Sequence, residues 1–507
     1  MKKRSNRTTV CTILSLTVLA AGCSSVQEAS GGNSGGSKAE APVDINIVVD
    51  FTIAQPPAPD NPVLKEFEKR TNTKLNITWV SGSAYNDRLN VLLSSGDLPD
   101  LIKINDISNP LLQQMARQGA FWDLTPYLKD YPNLMTTPKP IWDRTTINGK
   151  NYVIPVARPL EGNTFMNIRK DWLDKLGLKV PETMDDFYKA LKAFKENAPD
   201  GKKDTYGIAN SLKVIEDVFT GTNGLFNGTS ARWGIKDGKL YDANLVPEMR
   251  EALLYEKKLF DEGILAPDFA AMKSDQVIEL FQNGRLGTNS ETIEALWRWQ
   301  YDQWKRDPKV DWLPLTSLSA SHGPYVPQYT GFIGVLAIPK KVPEAKMKKI
   351  LSVIDYGASE EGGSLSLYGI KDIHYKEQDG FKIATEQAVK DSVGVGAFGK
   401  LFMRYDPYMY AFAPSMTKEV FERNKKIIDA RSKLSVPDPS VGLVSDTRLK
   451  VGADYDKKIN DMKTQVVMGK VSIEAWDKFV NDLKQDATYQ KIIEETNAAY
   501  AARVAAK

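Results

Sequence analysis

Apolar and polar positions alternate in a regular rhythm from about residue 44 onward. Short apolar runs at 44–50, 74–80 and 99–105 have the length and composition of strands. The segment after the first run begins with Asn61 and Pro62, a typical N-cap and first helical position. Strands that alternate with single helices indicate βαβ units and a mostly parallel sheet.

Two further segments show helical spacing. In 84–97, Tyr85, Leu89 and Leu92 share one face, and 109–128 begins with an Asn-Pro start. Both segments are therefore predicted to be helices. Later helices are predicted from Thr183, Pro247 and Ser274, within 344–370 and over the last 60 or so residues, with a buried strand at 329–341. The whole pattern predicts the α/β class.

The first 22 residues have the pattern of a secretory signal peptide. Basic residues precede an apolar run from Val10 to Ala21, which is too short to span a membrane. The run leads directly into Cys23, and Leu19–Cys23 resembles the bacterial lipobox, in which the cysteine is lipid-modified and becomes the mature N-terminus. The alternative is an ordinary signal followed by an incidental cysteine. Residues 23–42 then form a lipidated cysteine and a Gly/Ser-rich tether with a reach of roughly 25 Å.

Charge and cysteine content narrow the class of protein. The chain of 507 residues carries a formal charge of +3, but the signal segment holds four cations and no acids, so the mature chain is near −1. This balance argues against a nucleic-acid partner. Cys11 leaves with the signal, which leaves Cys23 alone and allows no internal disulfide. About 480 mature residues are enough for two or more domains.

Several segments in this order resemble the extracellular solute-binding protein family 1 of ABC importers, in its long lipoprotein form. The resemblance rests on VLKEFEKRTNTKLNITWV, LLSSGDLPDLI, YVIPVARPLEGNTFMNIRKDWLDKLGLKVPETMDDFYKALKAFK, FQNGRLGTNS and GFIGVLAIPKK. It covers nearly the whole mature chain, although no single segment is as specific as a metal-binding motif.

The resemblance implies a two-lobed, type II periplasmic-binding fold with a mostly parallel sheet in each lobe and a hinge between the lobes. The implied lobes are 43–157 plus 313–372 and 158–312 plus 373–507. A ligand, in this family mostly an oligosaccharide or related carbohydrate, binds between lobes that close on it. The implied setting is a monomer, lipid-anchored on the extracytoplasmic face of the cell membrane, that delivers its solute to membrane permease subunits.

Four candidate ligand-binding residues follow strands of the first half. Asn105 and Asp106 come after the strand LIKI, where ligands bind in open parallel sheets, and the alternative is a helix cap. Arg158 lies where the family chain first crosses between lobes and can donate several hydrogen bonds, or form an interlobe salt bridge. Phe51 follows the first strand and is either a wall of the site or a core residue.

Four more candidates lie further along the chain. Asn289 ends the short strand RLGTN, and Tyr329 precedes the buried strand at the lobe junction. Trp233 lies in a Gly-rich loop and is a candidate stacking platform for a sugar ring. Trp299 lies about 120° away from the apolar face of its helix, so it is a cleft candidate, whereas Trp297 belongs to that face.

An enzyme is the alternative class, and the sequence offers little for one. His322 and His374 are the two histidines, and their spacing matches no metal motif. No Walker A loop, dinucleotide fingerprint or calcium loop is present, so we predict no metal and no cofactor. A binder of peptides or another non-sugar solute remains the main alternative, and a secreted polysaccharide hydrolase, which needs two facing carboxylates, is a weaker one.

Overall fold

The computed structural model describes residues 41–161, 165–209, 232–320, 323–412 and 416–505. The predicted signal peptide, Cys23 and the tether up to residue 40 lie outside the described residues, as does His322. Backbone contacts hold Pro42–Lys507 together as one compact unit. Within that unit, two sheets have separate hydrophobic cores.

Strands and helices alternate through most of the described chain. The strands are β1 (Val43–Phe51), β2 (Thr73–Ser81), β3 (Leu101–Ile104), β4 (Val153–Ala157), β5 (Phe165–Arg169), β6 (Trp233–Lys236), β7 (Lys239–Asp242), β8 (Thr288–Glu291), β9 (Trp312–Pro314), β10 (Leu318–Ala320), β11 (Gly323–Gln328), β12 (Phe332–Ala337), β13 (Tyr375–Gln378), β14 (Phe381–Ala384) and β15 (Ser435–Pro437). The α-helices are α1 (Pro62–Thr71), α2 (Gly82–Ser95), α3 (Pro110–Arg117), α4 (Lys139–Thr145), α5 (Lys170–Lys175), α6 (Met184–Asn197), α7 (Glu248–Asp261), α8 (Ser274–Gln282), α9 (Ile293–Arg306), α10 (Glu344–Ala358), α11 (Glu360–Tyr368), α12 (Glu386–Lys390), α13 (Lys418–Ser432), α14 (Asp446–Val467), α15 (Ile473–Gln485) and α16 (Ala487–Ala505). Short 3-10 helices lie at Leu128–Asp130, Leu134–Thr136, Ala243–Leu245 and Phe398–Lys400.

Capping chemistry sets the helix starts. The Asn61 side chain accepts hydrogen bonds from the N–H groups of Val63 and Leu64, as its predicted N-cap role requires. Thr183 caps α6 in the same way through the N–H of Asp186. The helix predicted over 109–128 is shorter than expected, because Gly119 turns the chain in the left-handed region at φ +75° after α3.

The first sheet has the strand order β2-β1-β3-β12-β4. Strand β1 is parallel to β2 and β3, whereas β12 runs antiparallel to both β3 and β4. One face packs on a core with α1 and α10, and the other face packs on α2 and α3. Burial on both faces explains why these strands read as nearly continuous apolar runs.

The second sheet has the order β8-β5-β9, and both pairings are antiparallel. The expectation of a mostly parallel sheet in this lobe is therefore wrong. Strands β8 and β9 have only four and three residues and reach β5 from distant parts of the chain, so local apolar spacing carries no signal about their direction.

The two hydrophobic cores show which segments of the chain pack with each sheet. Side chains from the segment 398–403 pack in the core of the first sheet, and residues of 313–320 pack with the core of the second sheet. The lobe bounds from the sequence stay a prediction, and this packing favours moving both segments to the other lobe. The C-terminal helices α14, α15 and α16 complete the second core.

Two segments of chain cross between the sheets side by side. The N–H of Arg158 donates to the carbonyl of Gly331 at 2.7 Å, and the N–H of Tyr329 donates to the carbonyl of Leu160 at 2.8 Å. Gly331 has φ +87°, and a Cβ there would lie 2.5 Å from the side chain of Ile141. Only glycine fits this position, because both the backbone and the space exclude a side chain.

Substitution of Phe67 tests the packing of the core of the first sheet. The Phe67 ring is fully buried and stacks on Phe402 at 4.2 Å, which ties α1 to the 398–403 segment. Phe67→Ala is expected to lower the free energy of unfolding by about 3–5 kcal/mol through lost burial and a cavity. Urea denaturation measures the loss. The exposed Val91→Ala serves as a control expected to stay within about 0.5 kcal/mol of the parent, and equal effects of the two changes would contradict the assignment.

Candidate ligand-binding site

Strands β1, β3 and β4 end at the same edge of the first sheet, and four predicted residues follow them. Phe51 is the last residue of β1, Asn105 and Asp106 come directly after β3, and Arg158 comes directly after β4. Ligands of open α/β sheets bind beyond this edge. The structure adds charged groups at this edge that the sequence analysis did not single out.

A buried carboxylate between two lysines forms the centre of this edge. Asp50 Oδ1 lies 2.8 Å from Lys103 Nζ, and Asp50 Oδ2 lies 3.3 Å from Lys400 Nζ. Lys103 also donates to the amide oxygen of Asn105. Asp50 and Lys103 are almost fully buried, so each is stabilised only while the other remains in place. We call Asp50, Lys103 and Lys400 the strand-end ion cluster.

The surroundings shift the acidity of both buried partners. Burial alone would raise the pKa of Asp50, but the charges and hydrogen bonds of Lys103 and Lys400 outweigh it and lower that pKa. Burial lowers the pKa of Lys103 to about 8, and the nearby Asp50 only partly opposes this effect. Asp50 therefore stays ionised to a lower pH than an ordinary aspartate, and Lys103 loses its proton at a lower pH than an ordinary lysine.

Two neighbours fix the position of Lys103. The Tyr85 hydroxyl donates to the main-chain carbonyls of Lys103 at 2.5 Å and Val48 at 3.3 Å, which joins α2 to the ends of β1 and β3. Gly334 in β12 leaves room for the lysine, because a Cβ there would lie 3.1 Å from its Nζ. Gly334 also has φ +135°, a conformation that side chains disfavour.

The rim above the strand-end ion cluster is open to solvent. Phe51 and Asn105 are half-buried, and Asn86 at the start of α2 is exposed. Asn105 Nδ2 donates to Asn86 Oδ1 at 3.2 Å, which leaves other amide donors and acceptors at the surface. Asp106 is exposed, and its carboxylate accepts from the N–H of Ser108 at 2.8 Å in the turn before α3. The N-cap of α3 is Asn109, so neither Asp106 nor Asn105 caps that helix.

Arg158 lies at the junction of the first sheet and the crossing segments. Its guanidinium donates to the carbonyl of Gly399 at 3.0 Å and to that of Ala157 at 2.8 Å, and it also bonds Tyr410. Burial lowers its pKa, against the effects of Tyr410 and Asp50. Arg158 Nε is buried without a hydrogen-bond partner in the described part of the chain. Its binding role stays a prediction.

Tyr329 lies in the second crossing segment. Arg144 in α4 donates to the carbonyls of Tyr329 at 2.8 Å and Thr330 at 2.9 Å and to the side chain of Gln328. One guanidinium therefore fixes three consecutive residues of the crossing. The Tyr329 ring is half-buried, and its contact with a ligand stays a prediction.

Asn289 lies in β8 of the second sheet, directly opposite Asn167 of β5. It is buried, and its Nδ2 has no hydrogen-bond partner among the described residues. A buried amide donor without a partner is a group that a ligand hydroxyl could satisfy. Its ligand contact stays a prediction.

Both tryptophan candidates are packed against protein. Trp233 is only 3% exposed, in the β6–β7 hairpin, which Asn497 of α16 holds by two hydrogen bonds to Leu240. The predicted Gly-rich loop is a hairpin here, and the burial of the ring favours a core role, while stacking on a sugar stays a prediction. Trp299 is half-buried and lies edge-on to Phe281 at 6.1 Å in a hydrophobic cluster, which favours a core role.

Sequence reasoning missed the strand-end ion cluster and Asn86. One signal was available, because Lys103 is a cation within the four-residue apolar strand LIKI, where an unpaired charge is excluded. Asp50 at the end of β1 was its available partner. Lys400 had no such signal, since it reaches the site from a 3-10 helix almost 300 residues further along the chain.

The described ranges also bear on metal binding and on membrane insertion. They contain no group of three or more His, Cys, Asp or Glu side chains placed to hold a metal ion. Among the described helices, none is long and apolar enough to cross a membrane.

Two sheets with separate cores, joined by paired crossings and carrying polar groups at the strand ends, define a two-lobed α/β binding protein. Solved structures share this fold. The chain matches the alginate-binding protein AlgQ2 with a TM-score of 0.69 at 20% identity, covering 91% of this chain and 98% of that one. It matches the substrate-binding protein FusA of S. pneumoniae, in complex with kestose, with a TM-score of 0.67 at 19% identity, covering 92% and 100%. The predicted two-lobed α/β class is confirmed.

Residues 52–363 match the family model described as bacterial extracellular solute-binding protein, and the chain belongs to this family. Lipoprotein LipO of Bacillus subtilis is 32% identical over 500 residues, covering 95% of this chain and 96% of LipO. Polygalacturonan/rhamnogalacturonan-binding protein YtcQ of the same organism is 33% identical over 508 residues, covering 96% and 97%. The family places the protein outside the cytoplasm.

Asp50→Asn tests the strand-end ion cluster. It leaves two cations without their carboxylate, so the free energy of unfolding at pH 7 is expected to fall by about 3–5 kcal/mol. The folded pKa of Asp50 lies below its ordinary value of 3.8, so its contribution is present above that pH and is lost as the pH falls through the folded pKa. The difference between variant and parent should therefore shrink in acid.

Denaturant titration at pH 7 and below pH 4 measures this change. Asp44→Asn is the matched control, because Asp44 is exposed and lies 3.7 Å from Lys74 at the opposite end of the sheet. That surface pair is expected to contribute less than about 1 kcal/mol. A loss for Asp50→Asn that does not depend on pH would contradict the electrostatic account.

Proposed function

We propose that this protein is the substrate-binding component of an ABC importer and captures an oligosaccharide by closure of its lobes. The observation that carries the proposal is its full-length similarity to YtcQ, whose name describes a polygalacturonan and rhamnogalacturonan binder. FusA of Streptococcus pneumoniae, a fructooligosaccharide ABC transporter substrate-binding protein, is 33% identical over 218 residues. Together these names support a carbohydrate ligand and permease partners in trans.

The geometry of the site supports the same function. Sugars offer CH faces that stack on rings and hydroxyls that need fixed donors and acceptors. Phe51 supplies a ring at the rim, and Asn86 and Asn105 supply amides beside it. Paired crossings provide a place for the lobes to rotate, and closure is favoured only by the extra contacts that the ligand gains in the closed state.

We further propose that the protein makes and breaks no bond in its ligand. Its described charged groups at the strand ends are paired with one another or with main-chain atoms, an arrangement suited to holding a solute. A hydrolase would need two carboxylates facing one cleft, and at this edge Asp50 is held between lysines.

The ligand class is tested by incubating the purified protein with separate pools of neutral oligosaccharides, acidic oligosaccharides and peptides. A bound sugar is expected to add about 2.7 kcal/mol to folding stability at one hundred times its Kd, seen as a rise in melting temperature, while chromatography finds the pool unchanged. Stabilisation by peptides alone would overturn the carbohydrate assignment, and shortened sugar chains would overturn the assignment as a binder.

A lipid on Cys23 holds the protein at the membrane in this proposal, with the Gly/Ser-rich tether leaving it free to turn toward a permease. Cys23 lies outside the described residues, so the proposal rests on the lipobox resemblance and on the similarity to lipoprotein LipO. A single acyl chain gives only marginal anchoring, so the modification must supply more than one.

Cys23→Ser is expected to remove the anchor and release the protein from the cell. Cys11→Ser is the matched control, because Cys11 lies within the predicted signal and leaves with it. Detergent phase partition and labelling with radioactive palmitate measure the lipid on each variant. If Cys23→Ser stays in the detergent phase and keeps the label, Cys23 is not the anchor.

A further inference from the structure

A buried histidine of the first lobe uses both of its ring nitrogens in hydrogen bonds. His374, directly before β13, is completely buried. The N–H of Ile370 donates to its Nδ1 at 2.9 Å, and its Nε2 lies 2.9 Å from Asp391 Oδ2. Because a ring nitrogen that accepts a hydrogen bond carries no proton, the ring proton lies on Nε2 and is donated to Asp391. One imidazole therefore joins the turn before β13 to the residue that follows α12.

The surroundings hold the His374 ring and the Asp391 carboxylate in one arrangement. Gly369 has φ +76°, and a Cβ there would lie 2.6 Å from His374 Nδ1, so the ring needs glycine at this position. Gln387 Nε2 in α12 donates to the same Asp391 Oδ2 at 2.8 Å. Two donors, one from each side of the β13–β14 hairpin, therefore fix the Asp391 side chain.

Asp391 begins a segment that runs to the candidate ligand-binding site, and we call residues 391–400 the rim strap. It lies along residues 52–61, which follow Phe51 at the end of β1. Three hydrogen bonds join the two segments: Asn61 Nδ2 donates to the carbonyl of Asp391 at 2.6 Å, Ser392 Oγ donates to that of Gln55 at 2.9 Å, and the N–H of Thr52 donates to that of Gly396 at 2.9 Å. The rim strap therefore holds the chain that leads away from Phe51.

The rim strap has a conformation that needs support from its surroundings. Ser392 lies in the left-handed region at φ +54°, which a residue with a side chain adopts only where neighbouring contacts hold it. Gly396 lies so near the opposite segment that a Cβ would be 2.7 Å from the Ile53 side chain. A loss of contacts at Asp391 is therefore expected to relax the rim strap from the adjacent Ser392 onward.

The other end of the rim strap supplies groups to the edge of the first sheet. The carbonyl of Gly399 accepts from Arg158 at 3.0 Å, and Lys400 Nζ lies 3.3 Å from Asp50 Oδ2. The position of these two groups depends on where the rim strap lies, and Asp391 fixes its start.

We propose that His374 is a positioning residue of the ligand-binding site. Through Asp391 it holds the rim strap, so that Gly399 and Lys400 keep their contacts with Arg158 and Asp50 and the chain after Phe51 stays in place. His374 is completely buried, so it acts through these residues and not by touching a ligand. This inference rests on the proposed function, because the site that it positions is the one proposed to bind an oligosaccharide.

Two substitutions separate the two bonds of the ring. His374→Gln can place an amide N–H close to the position of Nε2 and keep the bond to Asp391, whereas His374→Asn can place an amide oxygen close to that of Nδ1 and keep only the bond from Ile370. His374→Asn is expected to speed hydrogen exchange in peptides from 52–61 and 391–400 about 10-fold or more, because a buried hydrogen bond to a carboxylate is lost. His374→Gln should stay within about 3-fold of the parent in the same peptides.

Calorimetry with fructooligosaccharides and with galacturonic acid oligomers measures the effect on the site. His374→Asn is expected to weaken binding of whichever oligomer binds the parent by about 3-fold or more, since the groups at the edge lose the shell that supports them. His374→Gln should retain most of the affinity. Circular dichroism at the temperature of each measurement shows that the unliganded variants are folded.

Val389→Ala is the matched control, because Val389 is 78% exposed in α12, two residues before Asp391. It should change neither the exchange of these peptides nor the affinity. Asp391→Ala removes the same bond from its partly exposed side, so it decides the comparison if His374→Asn does not fold.

The outcomes separate this inference from the proposed function. Faster exchange confined to the two segments, with weaker binding, in His374→Asn or Asp391→Ala but not in His374→Gln supports the positioning role. Equal effects of the Asn and Gln variants, faster exchange throughout the chain, or faster exchange of the rim strap with unchanged affinity overturns it and leaves the binding function intact. If no oligosaccharide binds the parent, the proposed function is overturned, and unchanged exchange in His374→Asn and Asp391→Ala would then show that His374 does not hold the rim strap either.

Discussion

Two main-chain hydrogen bonds between the crossing segments are the constraint on which the arrangement of this protein depends. They join Arg158 to Gly331 and Leu160 to Tyr329, so two of the chain's crossings between the sheets run as adjacent segments. Arg144 fixes the second segment through three consecutive residues. A paired connection resists twisting better than a single one, which suits a hinge that must bring the same side chains together at each closure.

The first sheet was predictable because its signals are local. Apolar runs located β1, β2 and β3, and Asn61 with Pro62 located the start of α1. The direction of each strand and the strand it pairs with were harder to predict. Strand β12 and the strands of the second sheet pair with residues more than a hundred positions away, and apolar spacing does not encode such pairing. Trp233 shows the same limit, since the hairpin that carries it is bound by Asn497 of α16 at the other end of the chain.

The residues of the site also fall into two groups, those that local sequence signals predict and those that tertiary packing brings into place. The rule that ligands bind beyond strand ends located Phe51, Asn105 and Arg158 at the correct edge of the sheet. It did not identify Lys400, which depends on tertiary packing of the 398–403 segment against Phe67. The groups with the most unusual chemistry at this edge are therefore brought together by long-range contacts, and a buried ion pair of this kind adds little stability relative to an apolar core.

The place of β12 has a consequence for how the protein emerges during secretion. This strand, Phe332–Ala337, lies between β3 and β4 and pairs with both, yet it comes far later in the chain than β3 (Leu101–Ile104) and β4 (Val153–Ala157). Until it arrives, two strands of the amino-terminal half present unpaired edges, the kind of surface that invites aggregation. The first lobe therefore completes its sheet only after most of the second lobe has left the translocation channel, and the early half needs protection for the whole of that interval.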